Sequence, residues 1–539
     1  MRNPKIVLEH LSTFKEKDRI TDLYRYLLNP EFYKIAYQNI YNKPSQMTPG
    51  TNNKTIDAMS FEKIEKLIEK LRNRTYKPTP NRRVNISKKN GKTRPISIPS
   101  LNDKLVQEII RMILEALWEP HFLNCSHSFR PNRSCHTALK YTQQKFRGTK
   151  WWIEADIKGC FDDINHEILL NLLKKRIREQ KFIHLINLFL KAGYIENWQY
   201  HKTYSGTPQG SIISPILVNI YLHEFDKYMN DMISKFNIGK KRKTSPEYHR
   251  LESQVRRAKN SLKKGNTTYH QLKLKKENLR NFINRNGYLD QFDSSFKRLA
   301  YVRYADDFII GIIGSKTDSL DIMNKVKEFL EVSLKLNNQK TKIIHNSEKV
   351  HFLGYEISVM KSIENRRING GIALWLPYEV MKNFIIDNRF GKFVCDSKTG
   401  KPKLKAIHRS ELINLDELKI LMQYNIKIRG LYNYYKMASN VCKMNGFNYI
   451  CQVSFLKTLA NKYKTSCAKL YKNINYNHRM NGAAHIGITY NNKFYNFFNG
   501  PFNVVKNIDY VKDLDNKPNS MKYSGRESLI SRHKKTTHK

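Results

Sequence analysis

The sequence predicts an α+β protein of more than one domain, and three observations predict it. The chain has 539 residues, more than one hydrophobic core usually serves. Between about 82 and 360, short β-rich stretches alternate with apolar runs at helical spacing, separated by turn residues. Beyond about 370 the pattern becomes mainly helical. A content of 40% hydrophobic and 12% aromatic residues is that of a folded chain and argues against wholesale disorder.

Residues 1–80 read as polar helices broken by the loop KPSQMTPGTNN (43–53), whose Pro, Gly and Asn punctuate the chain. RRVNISKKNGKTRPISIPS (82–100) reads as two strands about the turn dipeptide Asn90-Gly91. NDKLVQEIIRMILEALWEPHF (102–122) predicts a helix that starts at an Asn cap and stops near Pro120. WWIEADIKGCFDDINHEILLNLL (151–173) begins as a strand and turns into a helix. YSGTPQGSIISPILVNIYLHEFDKYM (204–229) reads as a Gly/Pro loop and a long amphipathic helix. Residues 240–285 hold fifteen Lys/Arg against three acids, with widely spaced Leu and Val, which predicts an inserted basic helical hairpin. YVRYADDFII (301–310) reads as a β-hairpin, followed by a helix over 316–336 and two short strands in 340–359. IKIRGLYNYYKMASN (426–440) is the densest aromatic cluster of the helical end, and no repeat of fixed period occurs.

Charge points to a partner. Lys plus Arg number 96 against 47 Asp plus Glu, a formal +49, and a field that repels itself so strongly predicts a polyanion. The seven cysteines (125, 135, 160, 395, 442, 451 and 467) are scattered without a CxxC pair, which argues against a disulfide framework or a zinc ribbon. Charges interrupt every apolar run of the first twenty residues, and no stretch approaches eighteen uncharged apolar residues. The expectation is a soluble protein of a reducing compartment with no membrane partner.

Asp306 and Asp307 raise the chemical question, because they sit where solvation is poor. Alone, an Asp-Asp pair reads as an ordinary turn. Asp156, at the end of an apolar strand start in ADIKGCFDDI (155–164), changes that reading. Crowded carboxylates repel unless protonated or bridged by cations, and magnesium prefers hard oxygen ligands that phosphate can complete. Two strands with acids at their ends therefore fit two-metal phosphoryl transfer, with ions roughly 3.5–4 Å apart. Asp162 and Asp163 read as acids at a helix N-terminus.

RPISIP (94–99), SHSFRPNRSCHTAL (126–139), ADIKGCFDDI, SGTPQGSIISPILVNIYL (205–222), YVRYADDFII, KTKI (340–343) and FLGY (352–355) occur in that order. The set resembles the reverse transcriptase of group II introns, closest to the bacterial mitochondrial-like lineage of intron-encoded proteins. The resemblance covers nearly the whole chain, including the 43–53 loop and RGLYNYYKMASN. It implies a right-hand polymerase with an antiparallel palm sheet. Residues 1–80 would extend the fingers and 81–365 form fingers and palm, with a basic insertion at 238–290. Residues 366–468 would be a helical thumb or maturase domain, and 469–539 a basic DNA-binding region and tail.

The resemblance also implies roles. Asp156, Asp306 and Asp307 would be the catalytic metal-binding carboxylates, with the Ile157 carbonyl completing a site for two Mg2+ ions, Mn2+ being a substitute. Phe161 would exclude a ribose 2′-hydroxyl. Lys88 and Arg94 would clamp the incoming deoxynucleoside triphosphate, and Gln209 would lie against nucleotide and template. Lys340 would protonate pyrophosphate, with Lys342 as its rival. Phe352, Leu353, Gly354 and Tyr355 would support the primer end, although the first two also read as plain core. RNA contacts would come from Lys241, Arg242, Arg256, Arg257, Lys263 and Lys264 in the insertion. Arg429, Tyr434 and Lys436 would add to them, with Tyr432 and Tyr435 beside them and some of these aromatics in the core.

TPQGSIISP carries Ser211 and Ile213 where the family commonly has Gly and Leu. The last residues, YSGRESLISRHKKTTHK, lack cysteine pairs, and His533 and His538 alone make a poor metal site, so no nuclease activity is expected. The expected activity is RNA-directed DNA synthesis by an intron-encoded protein that binds its group II intron RNA, assists splicing and copies the intron into target DNA. The alternatives are a splicing-only maturase and a host-adopted reverse transcriptase. The expected location is the bacterial cytoplasm, at the nucleoid, with the mitochondrial matrix as the alternative.

Overall fold

The computed structural model describes residues 3–42, 47–87, 91, 93–265, 268–290, 293–331, 334–337, 339–361, 369–395, 400, 402–473, 475–480 and 483–505. Lys88, Asn90, His533 and His538 lie outside the described residues. Packing divides the chain into two units, Met1–Glu348 with Lys361–Gly370, and Lys349–Met360 with Gly371–Lys539.

In the first unit, the helix Leu101–Trp118 is buried on every side and forms the middle of the core. Its cap is Ser100 rather than Asn102: the Ser100 hydroxyl accepts from the Asp103 amide at 3.3 Å. The helix ends at Trp118, two residues before Pro120. Its buried polar side chains are all partnered, as low-dielectric surroundings require. Asp103 accepts from Tyr76 and Thr79, and Gln107 accepts from the Ser211 hydroxyl at 2.8 Å and the Ile212 amide at 3.0 Å. Glu108 pairs with Arg111 at 2.8 Å. Ser211 is thus a fitted replacement for glycine, its hydroxyl engaged in the core.

The first strands, β1 (Asn81–Ser87) and β2 (Thr93–Ile98), form the expected antiparallel hairpin. β3 (Trp151–Lys158) belongs to a second sheet, whereas β4 (Tyr194–Glu196) and β5 (Gln199–His201) extend the first in the order β2-β1-β4-β5. The second sheet adds β6 (Arg298–Tyr304), β7 (Asp307–Ile313), β8 (Lys335–Leu336) and β9 (Lys342–His345). Every pairing in it is antiparallel, with β3 central, β7 on one side and β8 and β9 on the other. This is the sheet expected as the palm.

The helix Ser214–Phe236 is not amphipathic in its first half. Residues 216–223 are buried without a break, because the helix lies among Leu101–Trp118, His166–Lys174 and β6. The basic insertion is the expected helical pair, Pro246–Lys263 and Tyr269–Asn286. Its seam is small: Val255, Ala258 and Leu272, flanked by Leu262 and Leu279. Arg256, Arg257, Lys263 and Lys264 point to solvent, as does Lys241, while Arg242 is half-buried beside the Phe296 ring. The helix expected over 316–336 ends at Glu331, and Lys335–Leu336 already belongs to the sheet.

The second unit is less helical than expected. β10 (Val350–Phe352), β11 (Tyr355–Val359) and β12 (Ile372–Trp375) form an antiparallel sheet; counted with β9 of the first unit, the stretch 340–359 carries three strands, β9, β10 and β11, rather than two. β13 (Gly391–Cys395) and β14 (Pro402–Ala406) form a hairpin. The helices Glu417–Tyr435 and Met444–Lys462 follow, then β15 (Asn477–Met480), β16 (Ala483–Tyr490) and β17 (Lys493–Asn496). Tyr424 centres this core, stacked on Phe390 at 5.0 Å and edge-on to Phe455 at 5.6 Å. Among the described residues no helix is long and apolar enough to cross a membrane.

Candidate active site

Antiparallel register sets Asp156 on β3 directly opposite Asp307 on β7. Tyr304 closes the other side of β7 against Asp307, so only Ala305 and Asp306 remain to make the β6–β7 turn. Ala305 takes φ +58°, a left-handed conformation that costs a non-glycine residue roughly 1–2 kcal/mol. Neighbours in a regular strand face opposite ways. The reversal at Ala305-Asp306 is what lets both aspartates act on one place.

The cluster is short of positive charge and water. Asp156 is buried; its Oδ2 accepts from Asn337 Nδ2 at 3.0 Å and pairs with Lys340 Nζ at 3.0 Å. Its carbonyl accepts the Asn337 amide at 2.8 Å. Asp306 is half-buried; its carbonyl accepts the Ile157 amide at 3.0 Å. Burial pushes the Asp307 carboxyl up to about 7, helped by its hydrogen bond with Asp156 and by the charges of Asp306 and Asp156. Burial also raises Asp306, against the lowering charges of Lys340 and Arg94. For Lys340, burial is outweighed by the bond and charge of Asp156, and its pKa rises. The Asp307 carboxyl is thus the one that these neighbours push into the neutral pH range.

Among the described residues no group of three or more His, Cys, Asp or Glu side chains is placed so that it could hold a metal ion. Magnesium keeps few protein ligands and takes the rest from water and phosphate. The carboxylate oxygens of Asp156, Asp306 and Asp307 are donors of the hard kind it prefers.

Beside this cluster, Arg94 Nε donates to Gln209 Oε1 at 3.0 Å, and Gln209 Nε2 donates to Asp162 Oδ2 at 3.1 Å. Arg94, Gln209, Phe161 and Phe129 line one cavity of about 450 Å³, with Phe129 edge-on to Phe161 at 6.2 Å. The Pro-Gln-Gly loop is tied to the strand–helix turn by Thr207 N–H to the Phe161 carbonyl at 2.6 Å. Gly206 has φ +80°, and a Cβ there would lie 2.4 Å from the Asp162 carbonyl oxygen, so the close approach requires glycine. Asp162 and Asp163 do not open a helix. The helix starts at His166 with Asn165 as its cap, because Gly159 (φ +56°) turns the chain first and draws both aspartate amides to its carbonyl. Asp162 orients Gln209 instead. Lys342 lies opposite Glu154 in the β3–β9 register, whereas Lys340 reaches Asp156.

FLGY belongs to the second unit. Phe352 and Tyr355 are cross-strand partners and buried; Leu353 (φ +50°) and Gly354 (φ +71°) form the turn between them. Tyr434 donates to the Leu353 carbonyl at 2.8 Å and Tyr435 to the Gly354 carbonyl at 3.1 Å. Tyr432 donates to the Asn503 carbonyl at 3.0 Å, and Arg429 lies over the Phe498 ring at 5.0 Å. Lys436 is half-buried, and burial lowers its pKa. The aromatic cluster is thus bound into its own unit through its hydroxyl groups.

Sequence reasoning missed Asn337, which holds Asp156 from both main chain and side chain. It also missed Arg303 and Asp226, both fully buried beneath the turn. Arg303 shares its strand face with Leu299 and Tyr301, so a charge on that apolar face called for a buried counter-ion.

Two family matches define the class, a reverse transcriptase domain joined to a maturase domain. Residues 86–241 and 283–357 match the reverse transcriptase (RNA-dependent DNA polymerase) family, and residues 383–522 match the type II intron maturase family. Between the two matched reverse transcriptase segments lies the basic helical pair. The group II intron-encoded protein LtrA of Lactococcus lactis subsp. cremoris is 42% identical over 489 residues, which is 87% of this chain and 80% of that protein. A putative COX1/OXI3 intron 1 protein of Saccharomyces cerevisiae is 34% identical over 527 residues, 94% of this chain and 60% of that protein. The chain belongs to the family of group II intron-encoded proteins. A solved telomerase from Candida albicans, in complex with a fragment of telomeric RNA, matches at 12% identity with a TM-score of 0.34, covering 72% of this chain and 59% of that one; this adds nothing to the assignment.

The proton held at Asp307 has a measurable consequence. A metal that binds there must displace it, and below about pH 7 the half-saturating Mg2+ concentration for primer extension is expected to rise about tenfold per pH unit. A Mg2+ requirement that stays flat between pH 6 and 8 would contradict the raised pKa of Asp307.

Proposed function

We propose that the protein is an RNA-directed DNA polymerase that uses two divalent cations. In this reading Asp156, Asp306, Asp307 and the Ile157 carbonyl hold Mg2+, with Mn2+ able to replace it. The observation that carries the reading is the cross-strand pair Asp156–Asp307 beside the Asp306 turn, where neighbouring carboxylates and burial raise the Asp307 pKa. When bound, the ions supply charge stabilisation to the attacking primer hydroxyl and the leaving pyrophosphate. The chain's own groups do the positioning: Arg94, with Lys88, binds the triphosphate, Gln209 and Phe161 bound the nucleotide, and Lys340 gives its proton to pyrophosphate. Phe352, Leu353, Gly354 and Tyr355 support the primer end.

The partners that follow are deoxynucleoside triphosphates, target DNA and the parent group II intron RNA, which the protein would help to splice and then copy from a DNA 3′-hydroxyl. RNA contacts are assigned to the exposed face of the insertion, with Arg242, Arg429, Tyr434 and Lys436 at its margins or in the second unit. The domain limits proposed are 1–80, 81–365, 366–468 and 469–539, and the place of action is the bacterial cytoplasm at the nucleoid. A splicing-only maturase would have no use for the carboxylates, and their retention with a partnered Asp156 favours the polymerase.

Asp306→Ala is expected to abolish primer extension while binding of intron RNA stays within about twofold; retained extension would refute the polymerase reading. Phe161→Ala is expected to admit ribonucleotides in a competition assay, and unchanged selectivity would remove Phe161 as the gate. Replacing Arg256, Arg257, Lys263 and Lys264 by Glu is expected to weaken intron RNA binding and lower its log–log salt slope by roughly 0.7–0.9 per lost phosphate contact. Unaltered affinity would show that the insertion does not anchor RNA.

A further inference from the structure

We propose that Arg303 is a positioning residue for the catalytic turn, and that it works as a clamp on the peptide groups flanking Asp306. The inference rests on the polymerase reading of the carboxylate cluster and adds a residue to it.

Arg303 and Asp226 are both fully buried. The guanidinium makes a two-pronged pair with the carboxylate, Nε to Oδ1 at 2.8 Å and Nη2 to Oδ2 at 2.6 Å, and Nη2 also donates to the Ser126 hydroxyl at 2.8 Å. Its remaining arm, Nη1, donates to the Ala305 carbonyl at 3.1 Å. Tyr301 completes Asp226 by donating to Oδ1 at 2.9 Å. Buried ion pairs contribute little net stability, since apolar side chains of the same volume commonly do as well. The pair therefore needs a reason other than stability, and the Ala305 contact offers one.

The Ala305 carbonyl belongs to the peptide group before Asp306, and the Asp306 carbonyl to the one after it. Arg303 holds the first, and the Ile157 amide on β3 holds the second at 3.0 Å. With both peptide planes fixed, the direction of the Asp306 side chain relative to Asp156 is set by two independent anchors. The same contact stabilises Ala305 at φ +58°, a conformation that alanine does not favour by itself. Lysine has one nitrogen in place of the planar fork and cannot both face Asp226 and reach the Ala305 carbonyl in this geometry.

The test compares wild type, R303K and R303K/A305G on poly(rA)·oligo(dT) with dTTP. It reads kcat, half-saturating Mg2+, primer–template affinity and the melting transition. R303K is expected to lower kcat at least about tenfold and to raise the Mg2+ requirement, with affinity within about twofold of wild type. A305G is expected to restore much of kcat, because glycine takes a positive φ without a clamp. Three outcomes overturn the proposal: unchanged kcat and Mg2+ dependence in R303K, a kcat loss that A305G leaves untouched, or a parallel loss of affinity and melting transition that marks the pair as core. A wild-type chain that does not extend the primer at all refutes the polymerase reading instead.

Discussion

The antiparallel register that sets Asp156 opposite Asp307 is the constraint on which the candidate site depends. Side chains alternate along a strand, so a slip of one residue would turn one carboxylate to the far face and disperse the cluster. The register is secured well away from the acids. Ile153 faces Ile310 across the β3–β7 ladder and Ile343 across the β3–β9 ladder, and Trp152 stacks on Phe146 at 5.5 Å. An apolar core thus sets the position of charges that would repel each other if left to themselves. The crowding shows in the raised pKa of Asp307, and a divalent cation is a natural counter-charge for such a cluster.

Much of this was legible in the residues. ADIKGCFDDI shows a strand with an acid near its end and YVRYADDFII a hairpin with acids at its turn, and β3 does pair with β7, the second strand of that hairpin. The Lys/Arg-rich stretch reads as a helical hairpin because its apolar residues are too few for a core, and its seam proves equally small. What was not legible depended on three-dimensional company. Ser100 outcompetes Asn102 as a cap because its hydroxyl faces the Asp103 amide. The helix after the Pro-Gln-Gly loop loses its polar face because it is packed on several sides. Asp162 looks like a helix-start acid until Gly159 turns the chain and directs it to Gln209. Except for β16, the strands between 372 and 406 and between 477 and 496 are four or five residues long, and periodicity is weakest for such short segments.

In the aromatic cluster 429–440 two tyrosines have a structural task whatever else they bind: Tyr434 and Tyr435 donate their hydroxyl groups to the two carbonyls of the Leu353-Gly354 turn. The insertion is the opposite case. Its charge is overwhelmingly basic, fifteen Lys/Arg against three acids over residues 240–285, and its small seam leaves little to hold it against fluctuation. A polyanion laid along it would both neutralise and stabilise it, in keeping with the formal +49 of the chain.

In the proposed reading, three carboxylates from two strands and a turn make one divalent-cation centre. Iron-directed cleavage measures this most directly: Fe2+ takes the place of Mg2+, and ascorbate with peroxide cuts the backbone next to the bound metal. Cuts are expected near residue 156 and near residues 306–307 in the same molecule, both suppressed by excess Mg2+. Cuts at only one of these strands, or cuts that Mg2+ does not suppress, would contradict it.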